Sequence, residues 1–220
     1  MINCGILCAM EKELNPYLQA LKDKKTTMAA KLTFHQGSID NVSIVAVYSG
    51  VGKVNASIAA QILISKFNVD YIIVSGTAGG MAAGVNVFDT VVCTEVICHD
   101  TDNDIYTKYH PWMKEPKFYS DVKLISLAKD AAKTLTQAVH FGLSTTGEIF
   151  VNLEKSEALC IEMENAAVAH VCFVNSIPFL AIRSISDNNV ENGQDAINRN
   201  FEKASYQSYV LVKEILTNFK

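Results

Sequence analysis

Glu13, Glu162, Glu164 and Asp187 are the carboxylates of this sequence that stand where chemistry could be done. Glu162 and Glu164 flank Met163 at the end of a short apolar run, just before an Ala-rich helical segment. Pro178 then opens a second apolar run, Phe179 to Ile185, which contains Arg183 and ends at Ser186 and Asp187. This reads as strand, helix, strand, with charged groups at the strand ends where open α/β sheets bind ligands. Glu13 lies just beyond another apolar run, Ile2 to Met10, where Leu14, Tyr17, Leu18 and Leu21 begin helical spacing. A Glu in a first helical turn is also favoured by the helix dipole. Glu11 and Glu13 therefore each read either as dipole partners or as a carboxylate aimed into a cleft. Two opposed carboxyl groups are the usual tool for breaking a glycosidic bond: one protonates the leaving group while the other activates water. A third carboxylate on the sugar hydroxyls helps an oxocarbenium-like transition state.

Other chemistries lack their residues. No His/Cys/Asp cluster has zinc spacing, and no G-x-S-x-G elbow is present. Ser75-Gly76-Thr77-Ala78-Gly79-Gly80 matches neither the phosphate loop G-x-x-x-x-G-K-[ST] nor the dinucleotide pattern G-x-G-x-x-G, so no nucleotide cofactor and no metal are expected. The formal net charge is -4, and no basic cluster runs longer than Lys24-Lys25, which argues against a nucleic-acid partner. Arg183 and Arg199 are the only arginines, too few for a phosphate-clamping site. The cysteines form no CxxC pair and read as buried, reduced thiols. With no basic leader before a long apolar run and no apolar stretch of about 18 residues, a cytoplasmic protein away from membranes is expected.

The elements that must position these groups alternate between strand and helix, which points to a layered α/β fold in one domain spanning residues 1–220. Ile2 to Met10 is a buried strand and the first helix begins near Glu11. Leu32 to Gln36 and Val42 to Ser49 form a hairpin turning at 37–41. Gly50-Val51-Gly52-Lys53 reads as a structural turn or as a close backbone approach to a ligand, and a helix follows from Lys53 to Phe67. Tyr71 to Val74 is a strand leading into the Gly-rich segment, read as a loop with free backbone N–H groups. Val85 to Cys98 is the longest strand-like run, and His99 after it is a structural histidine or a base. Thr101 to Phe118 reads as a long loop of the kind that forms lids or interfaces. Tyr119 to Thr136 is an amphipathic helix and Val139 to Leu143 a strand. Phe150 either stacks on a flat ring or packs in the core, and Asn152 caps a helix over Leu153 to Leu159. A last helix runs from about Asp195 to Asn218.

Six segments in order carry a resemblance that covers nearly the whole chain: Ala9-Met10-Glu11-Lys12-Glu13, Ser49-Gly50-Val51-Gly52-Lys53, Gly76-Thr77-Ala78-Gly79-Gly80, Thr146-Gly147-Glu148-Ile149-Phe150-Val151-Asn152, Glu162-Met163-Glu164 and Arg183-Ser184-Ile185-Ser186-Asp187. The sequence resembles the 5′-methylthioadenosine/S-adenosylhomocysteine nucleosidases of the nucleoside phosphorylase superfamily. The resemblance implies a twisted mixed central β-sheet flanked by helices in three α/β/α layers, a nucleoside substrate, and a homodimer with the 101–116 region near the interface. It implies that Glu13 activates water and that Asp187 protonates adenine N7. Glu164 would hold the ribose hydroxyls, with Met163 packing on the sugar. Phe150 would stack on adenine and the Val151 backbone would bond the base edge. Thr77, Ala78 and Gly79 would line the base and sugar pocket, and Met10 and Val51 would face the 5′-thio group. Ser186 and Arg183 would orient Asp187 and the Glu162–Glu164 strand end. Ile197 or Phe201 would add an apolar 5′ contact. Related phosphorylases place an Arg where Val74 stands here, so water is the expected nucleophile rather than phosphate. The sequence differs from the family pattern at Asn165, Glu148 and the 101–116 stretch.

Overall fold

Most of the strands are runs of apolar and β-branched residues, long enough to be buried on both faces. The computed structural model describes residues 2–110, 112–149, 157–188 and 193–219, and for 103–104 and 193–197 the backbone alone. In chain order the elements are β1 (Asn3–Cys8), α1 (Glu11–Ala20), β2 (Lys22–Ala29), β3 (Leu32–Ile39), β4 (Val42–Tyr48), α2 (Lys53–Phe67), β5 (Tyr71–Gly80), β6 (Thr90–Cys98), α3 (Asn103–Tyr109), β7 (Phe118–Tyr119), α4 (Val122–Ala132), β8 (Val139–Thr146), β9 (Cys160–Glu162), α5 (Asn165–Asn175), β10 (Phe179–Asn188) and α6 (Gly193–Thr217).

All the strands belong to one mixed sheet in the order β10-β6-β8-β9-β5-β1-β4-β3-β2, with β7 on β6. β10 also bonds β5 in parallel while bonding β6 antiparallel, so β5, β9, β8, β6 and β10 close into a ring. Successive strand residues point to opposite faces, and two hydrophobic clusters follow from that alternation. Leu7, Ile72 and Val74 pack with Ala56, Ala59 and Leu63 of α2 and with Val168 and Ala169 of α5. Ile6, Cys8 and Ile73 pack on the other face with Leu14 and Tyr17 of α1, Leu124 and Ala128 of α4, and Val212 and Ile215 of α6. The layered α/β architecture is as expected. All six cysteines are buried and unpaired.

Several local expectations need correction. β2, sequence KDKKTTMA, reads as no element by hydrophobic pattern because almost all of it is exposed. It is a charged edge strand, and the lysines guard its open side. The Gly-rich segment is strand, not loop: β5 continues to Gly80 because β10 pairs along one side and β9 along the other. The strand expected from Val85 begins at Thr90. The long 101–118 loop contains α3 and ends in β7. α4 is shorter than its apolar periodicity suggests and starts at Val122, because Asp121 caps it by accepting from the N–H groups of Lys123 and Leu124 at 2.9 and 3.0 Å. The expected Asn152 cap and residues 153–156 of the helix expected after it lie outside the described residues, and residues 157–159 are not helical but lead straight into β9.

Candidate active site

One cavity of about 670 Å³ opens where β1, β5, β9 and β10 end, within the roughly 300–1,000 Å³ typical of small-molecule sites. Glu13, Thr77, Ala78, Gly79, Glu162, Met163, Glu164, Arg183, Ser186 and Asp187 line it, together with Met10 and Val51 at its side. Phe150 and Val151 lie outside the described residues. The cavity wall also includes Lys12, Gly147, Ile149, Ile161, Asn198 and Phe201, of which only Phe201 was singled out from the sequence.

Glu13 sits in the first turn of α1 and is 3% exposed. Its Oε2 accepts from the N–H groups of Ala9 and Met10 at 2.9 and 3.0 Å, reaching back over the helix start as a capping glutamate does. Its Oε1 accepts from the Thr77 N–H at 2.8 Å and from the Thr77 hydroxyl at 3.1 Å. The dipole role and the cavity role therefore coexist. Burial raises the Glu13 pKa above the ordinary carboxylate range, and Glu164 adds to this; Arg183 and the N–H bonds from Thr77 and Met10 oppose it. Gly76 makes this approach feasible. A Cβ there would lie 2.6 Å from Glu13 Oε1 and 2.9 Å from Arg183 Nη1.

Glu164 precedes α5 and is 3% exposed. Its Oε1 accepts from the Gly52 N–H at 2.9 Å and its Oε2 from Arg183 Nη2 at 3.0 Å. Gly52 has φ +102°, a backbone conformation that glycine adopts without cost, and this turns its N–H toward the carboxylate. Glu162 is fully engaged. Its Oε2 accepts from the N–H groups of Glu164 and Asn165 at 2.7 and 2.6 Å and from Arg183 Nη2 at 2.9 Å, while the Thr146 hydroxyl donates to Oε1. An acidic group at a helix N-terminus is favoured by the exposed N–H groups there. Burial raises the Glu162 pKa, against the pull of Arg183.

Arg183 is 1% exposed and central to this cluster. Burial alone would lower its pKa, but Glu162, Glu164 and Glu13 more than offset that and hold it charged. It serves as the counter-charge beside three buried carboxylates. Its Nη1 donates to the Thr77 carbonyl at 3.2 Å.

Asp187 lines the cavity near the end of β10 and is partly open to it. Its Oδ1 accepts from the Ser186 hydroxyl at 2.8 Å. Burial raises its pKa, and the Ser186 bond pulls the other way. His99 points at Gly147, where a Cβ would lie 2.1 Å from Nε2, and its Nδ1 is 3.3 Å from the Thr145 hydroxyl. It braces the β8 exit from behind rather than entering the cavity. Val74, by contrast, is fully buried in β5.

Sequence reasoning missed Asn165, Thr146, Lys12 and Asn198 as parts of the site. Lys12 lies inside a motif and Asn198 outside all of them, neither belonging to an acid–base pattern, and the Thr146 hydroxyl matters only because β8 and β9 pair in register.

Comparison with known proteins fits this geometry. The profile described as the Phosphorylase superfamily matches residues 3–217. The chain is 37% identical to a 5′-methylthioadenosine/S-adenosylhomocysteine nucleosidase of Exiguobacterium sp., with 96% of each chain covered. The fold superposes on the nucleosidase of that name from Neisseria meningitidis, solved with methylthio-immucillin-A, at TM-score 0.91 and 30% identity over 100% of both chains. It also superposes on the futalosine hydrolase of Helicobacter pylori at TM-score 0.90 and 27% identity, covering 99% and 98% of the two chains. The chain belongs to the 5′-methylthioadenosine/S-adenosylhomocysteine nucleosidase family of N-glycosyl hydrolases, within the phosphorylase superfamily.

Proposed function

We propose that this enzyme hydrolyses the N-glycosidic bond of 5′-methylthioadenosine and S-adenosylhomocysteine, and of 5′-deoxyadenosine, releasing adenine and the 5′-substituted ribose. The observation that carries the reading is the convergence of Glu13, Glu164 and Asp187 on one cavity, with Glu13 and Glu164 beside Arg183 and Asp187 apart from it.

The chemistry follows from what each carboxylate has left to offer. An ionised carboxylate has about four lone-pair sites. Glu164 uses one for Gly52 and one for Arg183, which leaves two for a pair of ribose hydroxyls. Asp187 carries a raised pKa and an Oδ2 without a hydrogen-bond partner among the described residues, the state suited to give a proton to adenine N7. As N7 takes that proton, the C1′–N9 electron pair passes to the base. Water adds to C1′ and its proton goes to Glu13. Four donors already occupy Glu13, and the Thr77 hydroxyl is the one that can rotate away to free a lone pair for that water. Ser186 orients Asp187, while Glu162 and Arg183 hold the β9–α5 junction. Phe150 and Val151 would complete the base pocket.

The exposed apolar side chains Val54 and Ile58 of α2, Phe173 and Val174 of α5, Tyr109 at the end of α3 and Trp112 after it support a homodimer, with the 101–116 region at its edge. The biological role would be removal of methylation by-products and methionine salvage in the cytoplasm. The likeness to a futalosine hydrolase favours one second reading, a futalosine-type substrate bound through the same base pocket.

The test is adenine release from 5′-methylthioadenosine in phosphate-free buffer, with chromatography of the sugar product. Free methylthioribose, unaffected by added phosphate, is expected. A sugar 1-phosphate formed only with phosphate present would overturn the hydrolase reading. Turnover of a futalosine nucleoside alone would select the second one.

A further inference from the structure

Asn165 takes no part in the steps above, yet every polar atom of its side chain is engaged beneath the cavity. It is fully buried. Its Oδ1 accepts from Arg183 Nε at 3.0 Å and from Nη2 at 2.8 Å. Its Nδ2 donates to the Ser144 hydroxyl at 3.3 Å and to Cys93 Sγ at 3.6 Å. Its backbone N–H is one of the three donors to Glu162 Oε2.

A buried, satisfied Asn is most simply a structural spacer. Two features give this one more to do. One oxygen bridging Nε and Nη2 fixes the guanidinium plane, and that plane decides where Nη1 and Nη2 point. Nη2 meets Glu162 and Glu164, and Nη1 lies against the Thr77 carbonyl on the side of Glu13. The carboxamide is also neutral. A carboxylate of the same shape would bond the same two nitrogens but would draw on a positive charge that Glu13, Glu162 and Glu164 already share.

We propose that Asn165 is a positioning residue for the hydrolysis: it orients Arg183 without neutralising it, leaving the full guanidinium charge facing Glu13 and holding Glu164 in place. The proposal rests on the hydrolase reading. The groups facing Glu13 and Arg183 are Glu164 before α5, Glu162 on β9 and the thiols Cys8 on β1, Cys93 on β6 and Cys160 on β9, with Tyr17 of α1 behind Cys8. Burial keeps Cys8 and Tyr17 neutral, and a hydrogen bond with the Cys93 thiol together with burial does so for Cys160, so the carboxylates and Arg183 dominate the local field.

The experiment compares wild type, Asn165→Ala and Asn165→Asp in kcat, KM, the pH dependence of kcat/KM, and Tm. Asn165→Ala frees the guanidinium and is expected to lower kcat roughly ten- to a hundredfold with little change in KM. Asn165→Asp keeps the volume and both acceptor contacts. Its added negative charge raises the pKa of the base, so the acid limb of kcat/KM moves up by about one pH unit. Adenine affinity, which does not involve Asn165, stays near wild type in both variants and shows that the base pocket is formed. An acid limb unmoved in Asn165→Asp, or an unchanged kcat in Asn165→Ala, would overturn the proposal. Wild type that releases no adenine would instead remove the hydrolase reading, and the proposal with it.

Discussion

Replacing Asp187 with Asn separates proton donation from binding. The substitution keeps shape and keeps an oxygen to accept from Ser186, whose hydroxyl is 2.8 Å from Oδ1. It places an amide on the cavity edge, where it can still bond a base nitrogen but cannot pass on a proton. General acid catalysis contributes about 10²–10⁴-fold. A loss near 10³ in kcat, about 4 kcal/mol at 1.36 kcal/mol per decade, is expected, with KM changed only a few-fold. Stability should move the other way. The raised pKa means that the folded state binds this proton more tightly than the unfolded chain does. Wild-type stability therefore falls as pH rises from the ordinary Asp range through the raised value. The variant lacks that cost, so its Tm should equal wild type at acid pH and match or exceed it at neutral pH. The assay is adenine release in phosphate-free buffer beside thermal unfolding at two pH values. A variant within tenfold of wild-type kcat, or one losing several degrees at neutral pH, would refute the acid role given to Asp187.

Gly76→Ala puts a methyl group 2.6 Å from Glu13 Oε1 and 2.9 Å from Arg183 Nη1. Relief requires both to shift, so about 1–3 kcal/mol of stability should be lost, together with most turnover, measured by denaturant unfolding and adenine release. Arg183→Met leaves Glu13, Glu162 and Glu164 buried without their guanidinium and should cost about 3–5 kcal/mol near neutral pH. That penalty should shrink on acidification as Glu13 and Glu162, both with raised pKa, protonate; an equal penalty at acid and neutral pH would contradict the charge argument. Glu13→Gln turns an amide N–H₂ toward at least one backbone N–H donor whichever way it faces, so kcat should fall at least a hundredfold in the adenine assay.

How far the site could be read in advance depended on whether its residues announce themselves locally. Glu13, Glu164 and Asp187 are legible because each follows or ends an apolar run, which fixes it at a sheet edge. α2 is legible to the residue because Gly52 precedes it and Asn68, in the left-handed conformation, closes it. β2 was not, since an exposed edge strand of lysines and threonines has no hydrophobic period to betray it. Nor was the extension of β5 through its glycines, which depends on partners that arrive much later in the chain. Asn165 escaped for a similar reason: its contacts, Arg183, Ser144 and Cys93, come from three different strands.

The ring closed by β10 also constrains how the protein comes to exist. Phe179 to Asn188 must find Ile72 to Gly80 on one side, across nearly half of the chain's sequence, and Thr90 to Cys93 on the other. Such non-local pairing makes folding slow relative to helical proteins of the same stability. Arg183 rides on that last-arriving strand, so during synthesis the carboxylates from α1 and β9 emerge before the charge that tolerates them in the interior. The catalytic cluster can be buried only once β10 has docked, and a chain halted before it holds every acid of the site except Asp187 but lacks the buried positive charge of Arg183.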